Sequence, residues 1–167
     1  SAVGSVEAIS AITLSASQAS VEFNSIPSTY THLQLRLIAR NDTSVQNIRF
    51  QFNGDTSTSS YMSHYFYGDG TSPGAGNPGT SLGYMYFGNA PTTASIFASA
   101  VIDIADYANG NKYKTTKVLH GYDTNGGGVV QLLSGLWMSS SAITSIKLFT
   151  GANSFAQYSS FTLYGIK

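Results

Sequence analysis

The chain has 167 residues, a length that suits one domain with its own hydrophobic core, and we treat residues 1–167 as a single domain. Only 10% of the residues are charged, and eight Lys and Arg balance eight Asp and Glu. This neutral composition argues against a nucleic-acid-binding protein, which normally carries a basic stripe. The sequence has no cysteine, which excludes disulfides and zinc–thiolate sites. No apolar run approaches the roughly 18 residues of a membrane span, so we expect no membrane insertion.

Short stretches of alternating apolar and polar residues recur along the chain, separated by turn residues. In the clearest stretch, Leu33, Leu35 and Leu37 would point to one side of a strand, and Gln34 and Arg36 to the other. Short strands at such regular spacing are typical of a sandwich or barrel. We expect an all-β fold, an antiparallel β-sandwich of jelly-roll type with about eight to ten strands. The candidate strands, in chain order, cover residues 6–14, 20–23, 32–39, 48–52, 61–67, 82–87, 96–104, 113–122, 129–138, 143–149 and 159–164.

Residues 68–81 interrupt this pattern with many Gly, Pro, Ser and Asn residues, which predict a long loop. Loops of this length inside a compact domain are often functional. Several tyrosines flank the segment, and a tyrosine ring with its hydroxyl suits sugar stacking or a protein interface. The simpler alternative is that these rings line the core and cover the sheet. Our candidate binding residues are Tyr65, Tyr67, Asp69 and Tyr84.

The candidate strand at residues 129–138 is apolar on both of its faces. Such a strand belongs in the middle of a sandwich or under a contact between subunits. The zero net charge removes the repulsion that usually keeps identical chains apart. Together these two features predict a homo-trimer.

Residues with catalytic potential form no specific motif. The three histidines, His32, His64 and His120, lack metal-ligand spacing, so we expect no metal and no cofactor. Residues 79–83 match the G-x-S-x-G pattern, but a Gly/Pro segment precedes the serine where a nucleophile elbow needs a strand. Asp103 and Asp106 are the local carboxylate pair that acid–base catalysis would use, although turn and surface roles explain them more simply.

A series of short motifs, in a fixed order over nearly the whole chain, resembles small virion proteins of tailed bacteriophages, especially marine and cyanobacterial ones. Proteins with this pattern occur as free-standing small proteins and at the ends of tail fibres. The resemblance implies a phage structural protein and supplies no catalytic residue. The motifs are Val21-Glu22-Phe23, Ile26-Pro27-Ser28-Thr29-Tyr30, His32-Leu33-Gln34-Leu35-Arg36, Phe52-Asn53-Gly54-Asp55, Ile104-Ala105-Asp106-Tyr107-Ala108-Asn109, Lys112-Tyr113-Lys114-Thr115, Ser134-Gly135-Leu136-Trp137, Ala142-Ile143-Thr144-Ser145-Ile146 and Phe161-Thr162-Leu163-Tyr164-Gly165-Ile166.

We therefore expect a non-enzymatic protein on the exterior of a virion, made in the cytoplasm of the host bacterium, with other virion proteins as partners. The first expectation is a tail-fibre or tail-tip module for host attachment. It would display residues 68–81 toward a host-surface glycan or outer-membrane protein. The second is a capsid decoration, or cement, protein that clamps neighbouring shell subunits. The third is a polysaccharide depolymerase that uses Asp103 and Asp106.

Overall fold

The computed structural model describes residues 5–79 and 82–167, and in them the chain forms β-strands and turns but no α-helix. The strands are β1 (Val6–Thr13), β2 (Ser20–Phe23), β3 (His32–Ala39), β4 (Gln46–Phe52), β5 (Tyr61–Gly68), β6 (Pro73–Gly76), β7 (Met85–Ala90), β8 (Ala98–Ile104), β9 (Lys114–Asp123), β10 (Gly128–Trp137), β11 (Ile146–Phe149) and β12 (Ser160–Ile166).

The strands form two packed antiparallel sheets, which confirms the predicted β-sandwich. The larger sheet has the order β1-β12-β3-β8-β9-β10-β5-β6, and the smaller has the order β2-β11-β4-β7. Four strand pairs are nested along the chain: β1 with β12, β2 with β11, β3 with β8, and β4 with β7. Successive pairs alternate between the sheets, as in a long hairpin rolled into two layers, which is the jelly-roll arrangement.

Two hairpins inserted into this framework extend the larger sheet beyond β8. β9 pairs with both β8 and β10, and β5 joins the far side of β10, followed by β6 at the edge. These insertions give twelve strands where the sequence led us to expect about eight to ten. They also make the larger sheet twice as wide as the smaller one.

The core lies between the sheets and is built by alternate residues of facing strands. Leu35 and Leu37 of β3 are buried from the larger sheet, and Phe50 and Phe52 of β4 are buried from the smaller one. The ring of Trp137 on β10 packs against Phe52 with ring centroids 5.5 Å apart. Period-two alternation thus places one face of each strand in the core and the other face outside.

The prediction of a long loop over residues 68–81 is wrong for residues 73–76, which form β6 and pair with β5. Glycine weakens a strand because it has no side chain to pack. Here Tyr67 lies over Gly74, where an added Cβ would be 2.5 Å from the ring, and Tyr65 lies over Gly76 in the same way. Aromatic rings that cover glycine backbone on a neighbouring strand stabilise such an edge.

Candidate functional site

Tyr65 and Tyr67, two of the four predicted binding residues, are half-buried in the sheet. Their ring centroids lie 6.2 Å apart, and Tyr65 also packs against Tyr86 of β7 at 5.6 Å. Because both rings lie over the glycines of β6, most of their apolar surface already has a partner. Tyr65 packs against the core, so the alternative in which alternate rings line the core describes its position.

Asp69 holds the turn between β5 and β6. Its Oδ1 atom accepts hydrogen bonds from the backbone N–H of Ser72 at 2.7 Å and of Thr71 at 2.8 Å, and from the Thr71 hydroxyl at 2.8 Å. These hydrogen bonds, first from Ser72 and then from Thr71, lower the pKa of Asp69. The carboxylate thus stabilises a tight turn, a common use of Asp in such positions.

Tyr84 lies in a different cluster from the other two tyrosines. Its ring meets the edge of Phe149 with centroids 5.8 Å apart, and the Arg49 guanidinium lies 4.4 Å from the ring centroid. Phe149 and Arg49 belong to β11 and β4 of the smaller sheet. The structure therefore brings Tyr65, Tyr67 and the Asp69 turn together but places Tyr84 against other strands.

Each of the two candidate catalytic carboxylates has its own cation. Asp103 lies 3.4 Å from the Nζ of Lys117, and Asp106 pairs with Lys112. The hydrogen bond and charge of Lys112 lower the pKa of Asp106. A glycosidase needs one carboxyl group that keeps its proton, and a lowered pKa works against that role. Ser81 of the G-x-S-x-G match lies outside the described residues.

Large apolar side chains form a row on the outer face of the larger sheet. Leu132 of β10 pairs with Phe66 of β5 on one side and with Leu119 of β9 on the other, and Leu119 pairs with Val101 of β8. Their neighbours along the strands point into the core, so these side chains point outward. Phe66 is 58% exposed and Leu119 is 57% exposed. A contiguous apolar row of this exposure is unusual on a soluble surface.

A second row widens this surface. Val130 of β10 is 62% exposed, and Ile38 of β3 is 50% exposed two strands beyond β9. The register joins them through Gly121, which has no side chain, and Ser99, whose side chain is small. We define the apolar strip as Ile38, Phe66, Val101, Leu119, Val130 and Leu132.

Polar residues line the other side of the apolar strip. Lys117 pairs across β9 and β8 with Asp103, and Asp103 pairs with Gln34 on β3. The Gln34 side-chain amide donates a hydrogen bond to Asp103 at 2.8 Å, and Arg36 donates one to Gln34 at 2.8 Å. The charges beside the strip are thus satisfied by neighbours on the same sheet.

A groove opens where β6 ends beside the apolar strip. β6 pairs only with residues 65–68 of β5, so His64 has no paired strand on its outer side within the described residues. The cavity has a volume of about 660 Å³, within the range of small-molecule sites. Its lining combines apolar Phe66, Ala75 and Leu132 with polar His64, Asn77, Lys117 and Ser134.

Sequence reasoning identified one component of this surface and missed the others. The two-sided apolar character of residues 129–138 pointed to a contact surface and includes Val130 and Leu132. Leu119 and Ile38 gave no such signal, because each lies alone among polar or core residues, whereas Phe66 belongs to the aromatic residues flanking residues 68–81 for which an interface was one interpretation. Only the strand register, which places them beside β10, shows that they form one surface.

Comparisons of the chain with family models, with curated proteins and with solved structures returned no match. Within residues 5–79 and 82–167, no helix is long and apolar enough to cross a bilayer. In the same residues, no group of three or more His, Asp or Glu side chains is placed to hold a metal ion.

Proposed function

We propose that this chain is a non-enzymatic structural protein of the exterior surface of a bacteriophage virion, and that it assembles there through its apolar strip. The observation that carries the proposal is the row of exposed Phe66, Leu132 and Leu119 on one face of the larger sheet. Contiguous exposed apolar surface on a soluble domain marks a contact with another protein. The neutral composition agrees with a protein that works in an assembly.

The virion setting rests on the sequence resemblance to phage virion proteins, and the fold supports it by analogy. Jelly rolls are common in viral capsid proteins and lectins, and in both they present surfaces to other molecules. A fold hosts many functions, so the jelly roll adds weight only together with the sequence motifs and the apolar strip.

Of the roles expected from the sequence, capsid decoration suits this surface best. A decoration protein must pack broadly against neighbours, and an apolar sheet face with the Lys117–Asp103 pair beside it provides such packing. The tail-tip role depended on an open loop at residues 68–81, where β6 instead folds back on β5.

Host attachment is a second candidate, favoured by the groove beside the strip. The exposed ring of Phe66 offers a stacking surface for a sugar, and His64, Asn77 and Lys117 offer hydrogen-bonding groups around it. In this role the protein would be a tail-fibre or tail-tip module, and the groove would bind a host-surface glycan.

Counting the copies of the chain in purified virions tests these roles. Quantitative gel or mass-spectrometric comparison with the major capsid protein should give hundreds of copies for a decoration protein. A few copies at one vertex would favour the tail-tip module. Absence of the chain from purified particles would overturn the virion proposal as a whole.

A further inference from the structure

We infer that the apolar strip binds the identical strip of a second copy of this chain, with the two copies related by a two-fold axis. This inference rests on the proposed function, in which the strip is an assembly contact, and it names the partner. A two-fold contact is self-complementary, since the same patch is used on both copies. The described surface supports a second copy in three ways.

The outer face of the larger sheet is large enough for a stable interface. Eight strands spaced about 4.8 Å apart give a face roughly 34 Å wide, and seven residues of strand give a length of roughly 23 Å. The face therefore covers roughly 800 Å², the area that each partner buries in a standard-size stable interface. The apolar strip occupies five of these eight strands, so a contact of this size also has to cover the polar residues beside the strip.

The net charge of the chain and the charged residues beside the strip also allow a second copy to bind. The chain has no net charge, so two copies do not repel each other. Beside the strip, Lys117 already pairs with Asp103, and the Arg36 guanidinium lies 4.9 Å from the ring centroid of Tyr164. An identical face can therefore cover the Lys117–Asp103 pair without leaving an unpaired ion, whereas Arg36 has no carboxylate partner within the described residues and needs one from the second copy.

Residues 5–79 and 82–167 form no second contiguous apolar surface that could receive the strip. Half of the strongly exposed large apolar residues of the described chain lie in the strip. Tyr113 and Met138 lie at the ends of β9 and β10, and Val6, Val45 and Tyr158 lie singly on other segments. The described surface that best complements the strip is therefore the strip of another copy.

The mass of the purified chain in solution tests the inference. Light scattering coupled to size-exclusion chromatography at micromolar concentration should give twice the monomer mass of 17.7 kDa. Leu119 lies on β9, the middle of the five strands that carry the strip, so Leu119→Lys places like charges near a two-fold axis through the centre of the strip and should weaken the dimer at least tenfold. Val45→Lys is the matched control, since Val45 is 48% exposed but lies on the turn before β4, and it should stay dimeric.

A mixing experiment separates a lost contact from a damaged fold. Leu119→Lys and Leu119→Glu should each be monomeric alone, with unchanged circular dichroism and cooperative thermal unfolding. Mixed together they should form a heterodimer, because opposite charges then meet across the axis. Failure of the mixture to associate would contradict the two-fold arrangement.

Other masses would also overturn the inference. A wild-type monomer at micromolar concentration would show that the strip does not bind its own copy. A trimer, the state expected from the sequence, would require the strip to bind a different surface of the next copy. Neither result would contradict the virion proposal, because counting copies in virions does not depend on the oligomeric state of the purified chain.

Discussion

His120 lies on β9 with only 2% of its surface exposed. Its Nε2 atom lies 2.8 Å from the carbonyl oxygen of Asn89, which can only accept, so this nitrogen carries the proton. Burial lowers the pKa of His120 to about 4, although the contacts with Asn89 and Gln131 oppose the shift. The folded protein therefore holds a neutral imidazole at a pH where the unfolded chain carries a charged one.

The unfolded chain should bind a proton at His120 from about pH 6.5 downward, whereas the folded protein binds it only near pH 4. The contribution of neutral His120 to the free energy of unfolding is therefore fully present above pH 6.5 and is lost as the pH falls toward 4. The loss between pH 7 and pH 5 should be about 2 kcal/mol. Urea denaturation at the two pH values measures it. His120→Gln should remove most of the difference, and exposed His64→Gln should keep it; equal differences in both variants would contradict the assignment.

Lys114 has no exposed surface, and its ammonium group is held by backbone carbonyl oxygens. The Nζ atom donates hydrogen bonds to Asn109 at 2.8 Å, to Lys112 at 2.7 Å and to Ser140 at 3.0 Å. Ser140 follows β10, and the other two residues precede β9. The Lys114 side chain therefore links the segment that precedes β9 to the segment that follows β10 at this end of the larger sheet.

Replacing Lys114 by Met keeps the aliphatic stem but leaves three carbonyl groups without their donor. We expect a loss of about 2–4 kcal/mol in the free energy of unfolding, measured by urea denaturation at pH 7. Lys117→Met is the control, because Lys117 is exposed and its pair with Asp103 contributes at most about 1 kcal/mol. A similar loss in both variants would show that the carbonyl contacts of Lys114 do not stabilise the fold.

At the scale of the elements, β6 is covered by side chains of the neighbouring strand β5. Tyr67→Ala should uncover Gly74 and weaken the pairing of β6 with β5. Backbone amides of β6 should then exchange with deuterium at least tenfold faster, which corresponds to about 1.4 kcal/mol of local stability, while amides of β9 keep their rates. Tyr158→Ala, at an exposed position outside the strands, should change neither. Unchanged exchange in β6 of Tyr67→Ala would mean that the ring does not hold this edge.

The existence of most strands could be predicted from the sequence, because period-two alternation is a local property. β3 and β4 are clear cases, since one face of each fills the core. β6 could not be predicted, because its Pro-Gly-Ala-Gly sequence favours a loop and its support comes from rings on β5. β11 begins at Ile146 instead of residue 143, because the Asn53 side chain accepts hydrogen bonds from the backbone N–H groups of Thr144 and Ser145.

At the scale of the whole molecule, the pairing of strands decides where the candidate site lies. The insertion of β9-β10 and β5-β6 beside β8 builds half of the larger sheet, and most of the apolar strip lies on that half. Alternation predicts which residues point outward from one strand but not which strands are neighbours. The sequence thus pointed to a contact surface on β10 and, as one interpretation, to an interface among the aromatic residues that include Phe66, whereas Leu119 joined this surface only through the fold.

The nested pairing has a consequence for the synthesis of the protein. β12 lies between β1 and β3, so the backbone hydrogen bonds that these two strands make with β12 cannot form until β12 has been synthesised. While the ribosome is still adding residues, the edges of β1 and β3 remain open to pairing with other chains. The sandwich therefore closes after translation has passed β12, and such long-range closure is intrinsically slow.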